Sequence, residues 1–346
     1  MLTVGVDAHK RVNMAVAIDA TGREVARWRG ANNAEGWQQL AGWAAAEGGA
    51  SRWGIEGAWN YGRGLAQYLV ELDATVYEVN ARWTAAGRRR ARTMAKSDGL
   101  DARAVALVVC REAGTLPPVT ADDATGVLGL LVAEREGVVA ESTRLRNQLH
   151  QLLLQLDPDY RRGIPSLKTQ QGLRAIGTYA TADPRPLQQQ RAAAVRRLAQ
   201  RLQLLVTQAR ELAAQIRAEA ARYAPLATIC GVELLTAAAL ASLLGPGRRF
   251  ASDAQLAAYA GVAPLEASSA ERVRHRLNRG GNRQLNAILH RIAVTQARCS
   301  PAAQAYLARR ASEGKTKREA RRALKRFIAR AIWRKWQECL AAEAAA

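Results

Sequence analysis

Four carboxylates near the front of the chain have the residue types and spacing of a metal site. Asp98 and Asp101 stand in Lys96-Ser97-Asp98-Gly99-Leu100-Asp101-Ala102-Arg103, at the head of an alanine- and valine-rich run. A helix puts such an i, i+3 pair on one face, one turn apart. Asp7 lies in Val4-Gly5-Val6-Asp7-Ala8-His9-Lys10, and Glu56 in Trp53-Gly54-Ile55-Glu56-Gly57. Gathered together, four carboxylates repel, and one or more takes up a proton unless a cation sits among them. Magnesium is a hard cation that takes oxygen ligands and keeps some waters. Two such ions about 4 Å apart clamp the attacking and leaving oxygens of a phosphodiester. A single Asp after a strand is usually a turn residue or a cap, so the reading rests on all four acids together. His9 and Lys10 read as surface neighbours of Asp7 rather than ligands.

The elements that must position these acids follow a recognisable order. Leu2, Val4 and Val6 alternate, then Met14, Val16 and Ile18, then Val25 beyond a Thr21-Gly22 turn, which predicts three strands within residues 2–29. Asn33 caps a helix through Trp37, Leu40 and Trp43 that closes at Gly48-Gly49. A strand over 52–56, a helix over 62–72 and a strand over 75–79 come next. A basic helix with Arg88, Arg89, Arg90 and Arg92 precedes the helix of Asp98 and Asp101. Three strands in meander, then alternating helix and strand, is the order of the ribonuclease H-like fold. There the first strand carries one acid and later elements bring the others beside it. An actin-like ATPase also opens on a Gly-x-Asp strand, but the later glycine-rich phosphate loops are missing here.

Charge divides the chain by role. The formal net charge is +21 over 346 residues, an excess that calls for a polyanionic partner or a membrane surface. Lys and Arg against Asp and Glu number 15 to 12 in residues 1–112, 15 to 10 in 113–223 and 21 to 8 in 224–346. The acids therefore sit in a nearly neutral third, and the cations gather at the other end. Cys110, Cys230, Cys299 and Cys339 form no Cys-x-x-Cys pair, which argues against a zinc knuckle and gives a disulfide framework no support. The longest mostly apolar run, Leu234 to Leu244, is too short to span a bilayer. Met1-Leu2-Thr3-Val4-Gly5-Val6-Asp7 has no basic region before an apolar core, so no signal peptide is expected. The expectation is a reduced, cytoplasmic bacterial protein with no membrane partner.

Pro117-Pro118 ends the first unit. Positions 128, 131, 135, 138, 142, 145, 149, 152 and 156 then keep a 3–4 spacing that is apolar except at Arg135 and Ser142. Val195, Leu198, Leu202, Leu205, Ala209, Leu212 and Ile216 repeat it. The pattern predicts a coiled coil, either an intrachain hairpin or a dimer seam. Asp157 to Pro186 between them reads as a loop or cap. The last third opens near Pro225. An apolar helix over 234–244 and a short helix from Ala254 to Tyr259, capped by Ser252, lead to a polar loop containing Ser268 and Ser269. Arg272, Arg274, Arg276 and Arg279 follow. Gly280-Gly281-Asn282 opens another helix through Leu285, Ile288, Leu289 and Ile292, and residues 315–336 form a basic amphipathic helix with Phe327, Ile328, Ile332, Trp333 and Trp336 on its apolar side. The arginines could hold a scissile phosphate. Serines in a polar loop are nearly always structural, and a hydroxyl is a weak nucleophile until activated.

Over nearly its full length the chain resembles the DEDD-type insertion-sequence transposases, described as bridge-RNA-guided serine recombinases. The first half resembles their RuvC-like domain in VGVDAHK, GIEG and KSDGLDARAVA; the last third resembles their transposase domain in RRFASDAQLAAYAGVAP, residues 248–264, and RGGNRQLNAIL, residues 279–289. The resemblance implies an α/β RNase H-like (RuvC-like) catalytic domain over 1–116, a helical coiled-coil dimerisation region over 117–223 and a mainly α transposase domain over 224–346. It implies that Asp7, Glu56, Asp98 and Asp101 hold Mg2+. It also implies a nucleophilic serine a few residues after Pro264, which falls on Ser269 with Ser268 next door; Ala270 stands where family members usually have glycine.

The activity so implied is RNA-guided excision and insertion of a DNA element through a phosphoserine intermediate. Arg88, Arg89, Arg90, Arg272, Arg274, Arg276, Arg279, Asn282 and Arg283 would hold nucleic acid. The partners would be donor and target DNA, a structured bridge RNA and the protein itself as dimer or tetramer. Two rival readings stand beside this. One is a RuvC-like nuclease or junction resolvase in which water attacks; the other is a nucleic-acid-binding protein without chemistry.

Overall fold

A computed structural model of the chain describes residues 2–80, 98–245, 247, 249–266, 275–276 and 281–345, with no side-chain description at 98, 265–266 and 275–276. It divides into two units: Met1–Ala124 with Ile229–Gly231 and Leu244–Ala346, and Thr125–Thr228 with Val232–Leu243.

The first unit is built on a five-stranded sheet. Strands β1 (Leu2–Ala8), β2 (Val12–Ile18) and β3 (Glu24–Ala31) form an antiparallel meander. After α1 (Ala34–Ala46) comes β4 (Ala50–Glu56), parallel to β1. After α2 (Arg63–Glu71) comes β5 (Val76–Val79), parallel to β4. The order is β3-β2-β1-β4-β5, that of a ribonuclease H-like, RuvC-like domain. Every residue of β1 is buried, because the strand lies centrally with helices on both faces. β3, at the edge, alternates half-buried and exposed residues. Leu2, Val4 and Val6 pack with Leu40 of α1 and Leu65 of α2 on one face. The helix α3 (Asp98–Glu112) covers the other, with Ala102 and Ala106 against Val16 and Ile18, and Val105 and Val109 against Val79. Each fully buried valine there contributes about 1.5–3 kcal/mol.

The second unit is helical. The 3–4 patterns become two long helices, α4 (Ala124–Leu156) and α6 (Pro186–Ala220). Leu145, Leu149 and Leu153 pack with Val195, Leu202 and Leu205, so these helices pair within the chain as a hairpin. The proline-rich stretch between them is not only loop. Thr169 caps a helix, α5 (Gln170–Gly177), whose Leu173 and Ile176 close the end of the hairpin. The 4-residue helix α7 (Ala224–Ala227) leads on to α8 (Leu234–Leu244), with the bounds its apolar run predicts.

The remainder returns to the first unit as α9 (Asp253–Tyr259), a hairpin of β6 (Leu265–Glu266) and β7 (His275–Arg276), and three helices. These are α10 (Arg283–Cys299), α11 (Pro301–Ser312) and α12 (Lys317–Ala345). Ser300 before Pro301 is a helix-start signature that the sequence reading passed over. The final helix is longer than its apolar stripe predicts. Ile328, Ile332 and Trp336 are buried as expected, but Phe327 is 49 % exposed and meets Tyr306 edge-on. Its apolar side is filled by protein, and among the described residues no helix is long and apolar enough to cross a membrane. Cys230 and Cys299, 69 positions apart, stand 3.4 Å apart as free thiols.

Candidate active site

Asp7 and Glu56 are partners in the parallel β1–β4 ladder, one at the carboxyl end of each strand. The period of two sends both toward the face that carries Gly5 and Gly54, two residues earlier in the same register. The helix α3 lies directly on those glycines. A Cβ on Gly5 would stand 2.2 Å from Ala106 N and 2.3 Å from Ala102 O, and one on Gly54 would stand 2.4 Å from Val109 Cγ2 and 3.0 Å from Val105 Cγ1. Ala102 and Ala106 thus run over β1, and Val105 and Val109 over β4. One turn back along these two stripes stand Asp98 and Asp101.

The direction of α3 brings that turn to the acidic strand ends. A Cβ on Gly99 would lie 3.2 Å from Arg27 Nη1. Arg103 donates to Gly22 O at 3.3 Å and pairs with Glu24 at 3.7 Å, and Cys110 Sγ lies 3.9 Å from Ala20 O. The helix therefore runs down toward the β2–β3 turn, antiparallel to β1, with its amino end toward Asp7 and Glu56. Asp101 is 8 % exposed and Asp7 is 7 % exposed, unusually deep for carboxylates. His9 Nε2 lies 3.3 Å from Asp7 Oδ2, so His9 is a direct partner rather than only a neighbour.

Local chemistry fixes the rim. Gly57 takes a φ of 73°, the left-handed region, immediately after Glu56, and its carbonyl accepts from Asn60 N and Gly62 N. Asn32 Nδ2 donates to His9 O and Tyr61 O, each at 2.8 Å, and its Oδ1 accepts from Trp37 Nε1 at 2.8 Å. This one side chain ties the loops after β1 and β4 together. Nothing in its spacing marked Asn32; only its neighbour Asn33 reads as a helix cap.

Among the described residues no three His, Cys, Asp or Glu side chains form a group that could hold an ion. The side chain of Asp98 lies outside the described set. By type, the expected donors are all carboxylates, the oxygen ligands a divalent cation takes. A hard cation offsets the desolvation and mutual repulsion of such a set.

The second set of expected residues is largely outside the described residues: Arg88, Arg89, Arg90, Ser268, Ser269, Arg272, Arg274 and Arg279, and the side chain of Arg276. The ends of the serine segment are described. Leu265 pairs with Arg276 and Glu266 with His275 in a short antiparallel ladder. Asn282 caps α10, its Oδ1 accepting from Leu285 N at 2.9 Å, while its Nδ2 donates to Tyr259 Oη at 3.0 Å. Its amide is committed within the chain. Arg283 is exposed at the first turn of α10. Behind it, Lys325 is buried and donates to Asn286 Oδ1 at 2.7 Å; burial, then Arg322, pushes its ammonium pKa down.

The sheet order, with a helix laid across β1 and β4, defines the class: a RuvC-like domain. Comparison with known proteins carries this further. Residues 4–158 match a DEDD family of IS110 type described as transposase, and residues 223–308 match the transposase IS116/IS110/IS902 family. The insertion element IS110 uncharacterized 43.6 kDa protein of Streptomyces coelicolor is 31% identical over 270 residues, covering 65% of this chain and 67% of that protein. Among solved structures, T. thermophilus RuvC in complex with a Holliday junction substrate aligns at 14% identity and a TM-score of 0.28, over 34% of this chain and 99% of that one. The chain belongs to the IS110 family of transposases.

Proposed function

We propose that this transposase breaks and rejoins DNA at a Mg2+-holding set of Asp7, Glu56, Asp98 and Asp101, with Ser269 as nucleophile and a structured RNA choosing the sites. The observation that supports the metal set most directly is the register of Asp7 with Glu56 beneath the amino end of α3. When bound, the metal would supply charge neutralisation at the phosphate. The chain's own residues do the rest. Asp7 and Glu56 are held by the ladder, Asp101 by helix packing, and His9 Nε2 stands 3.3 Å from Asp7 Oδ2.

Ser269 Oγ attacks the scissile phosphorus, its proton leaves to a base, and the bond from phosphorus to the leaving DNA oxygen breaks with protonation of that oxygen. A phosphoserine results. Attack by an incoming DNA hydroxyl reverses each step, so one phosphodiester replaces another without an external energy source. The exposed Arg283 and the basic last third suit the backbone of DNA and of a guide RNA, where base pairing supplies the sequence choice. Leu130 at 71 % and Leu204 at 60 % exposure leave apolar surface on the helical hairpin for self-association.

The test is a denaturing gel of protein incubated with its element ends, RNA and Mg2+. The wild type should give a protein–DNA adduct that Ser269→Ala removes, with Ser268→Ala retaining it. Full recombination by Ser269→Ala would point to water or Ser268 instead. Activity without the RNA would remove the guide from the reading.

A further inference from the structure

We propose that Arg249 is a positioning residue that pins Tyr259 and Asn282, which flank the segment containing Ser269, to the acid-bearing sheet of the same chain; this rests on the serine reading above. Arg249 is 6 % exposed. Its Nη2 donates to Glu78 Oε2 on β5 and, at 3.3 Å, to Tyr259 Oη at the end of α9. The same Glu78 oxygen accepts from Trp59 Nε1 at 3.1 Å. The guanidinium lies over three rings, 4.8 Å from the centroid of Tyr259, 5.2 Å from Phe250 and 5.6 Å from Trp59.

Each side of this cluster leads to one half of the chemistry. Glu78 precedes Val79, the register partner of Glu56, and Trp59 follows Glu56 by one turn of chain. On the other side Tyr259, which precedes β6, is bonded twice to Asn282, which follows β7. Its hydroxyl takes the Asn282 Nδ2 bond and its carbonyl accepts from Asn282 N at 2.6 Å. A Cβ on Gly281 would stand 2.2 Å from Gly261 N, so the two backbones cross in direct contact. Trp59, Glu78, Arg249, Tyr259 and Asn282 therefore form one continuous path from the strand of Glu56 to the flanks of the segment containing Ser269.

The choice of residue matches positioning rather than adhesion. A buried ion pair is often replaced by apolar residues with little loss of stability, but the directional bonds are then gone. Lysine keeps the charge and loses the planar fork that reaches Glu78 and Tyr259 while stacking on rings. With the pin in place, Tyr259 and Asn282 move with their own chain's sheet.

The experiment uses the full chain with element-end DNA, RNA and Mg2+. The variants are Arg249→Lys and the apolar pair Glu78→Leu with Arg249→Met, the pair serving if the single change fails to fold. Two readouts are taken: the rate of adduct formation, and amide hydrogen exchange by segment in the free protein. The expected result is adduct formation slowed about 100-fold and exchange over residues 259–282 accelerated about 10-fold. Exchange in β1, β2 and β4, and the Mg2+ midpoint by calorimetry, should stay at wild-type values. Slower adduct formation with unchanged exchange would overturn the proposal in favour of direct substrate contact, and wild-type behaviour in both readouts would overturn it outright. Accelerated exchange together with a wild type that never forms an adduct would support the pin and sink the serine reading.

Discussion

Asp7 and Glu56 are opposite each other in the β1–β4 register, and two residues before them Gly5 and Gly54 are opposite each other as well. The glycines let α3 touch the sheet backbone, and the acids lie beside the amino end of that helix. The same two strands carry both the helix contact and the two carboxylates.

Removing one carboxylate should therefore abolish cutting and spare binding. Asp7→Asn and Glu56→Gln are each expected to lower the rate of DNA strand cleavage in Mg2+ by on the order of 100-fold or more. Affinity for duplex DNA, carried by cations elsewhere, should change less than about threefold. Cleavage assays and mobility shifts on one preparation check both.

Gly5→Ala should disable the site without touching an acid. The new methyl group meets helix backbone rather than a mobile side-chain tip, so α3 must shift. A stability loss of about 1–3 kcal/mol is expected, visible as a lower melting temperature, with cleavage falling as far as for Asp7→Asn. Gly42→Ala, where a Cβ meets nothing within 4 Å, is the control.

Arg283→Ala should lower the slope of log affinity against log salt by about 1 for non-specific duplex DNA, as one lost phosphate contact would. Fluorescence anisotropy across a salt series reads the slope. Asn282→Ala next to it should instead cost about 1 kcal/mol of stability through the lost cap and leave the slope alone.

Asp253 should contribute to the acid sensitivity of the fold. Hydrogen bonds from Arg330 and then Arg326 hold its carboxyl below the ordinary carboxylate range, with Arg326 Nη1 at 2.8 Å and Arg330 Nε at 2.9 Å. A lowered pKa in the folded chain means the contribution is present above about pH 4 and is lost as pH falls through the folded value. Asp253→Asn should cost roughly 0.5–1 kcal/mol at neutral pH, and its deficit against wild type should shrink below about pH 4 in urea unfolding.

Local order was legible in the sequence because local forces decide it. Alternation in 2–29 gave the meander, Asn33, Ser252 and Asn282 gave their helix caps, and the 3–4 pattern gave the long helices. Thr169 carried a cap signal inside a proline-rich stretch, and Ser300-Pro301 carried one between two continuous helical patterns. The acids could be named because residue type and element order survive in one dimension. What only the tertiary structure decided was partnership across long separations. That Asp7 faces Glu56, that Asn32 ties two loops together, and that Arg249 reaches Glu78 depend on sheet register and on where a buried guanidinium finds both a carboxylate and rings. No periodicity records a contact between residues 171 positions apart, because the free energy that selects it comes from burial and packing of the assembled fold.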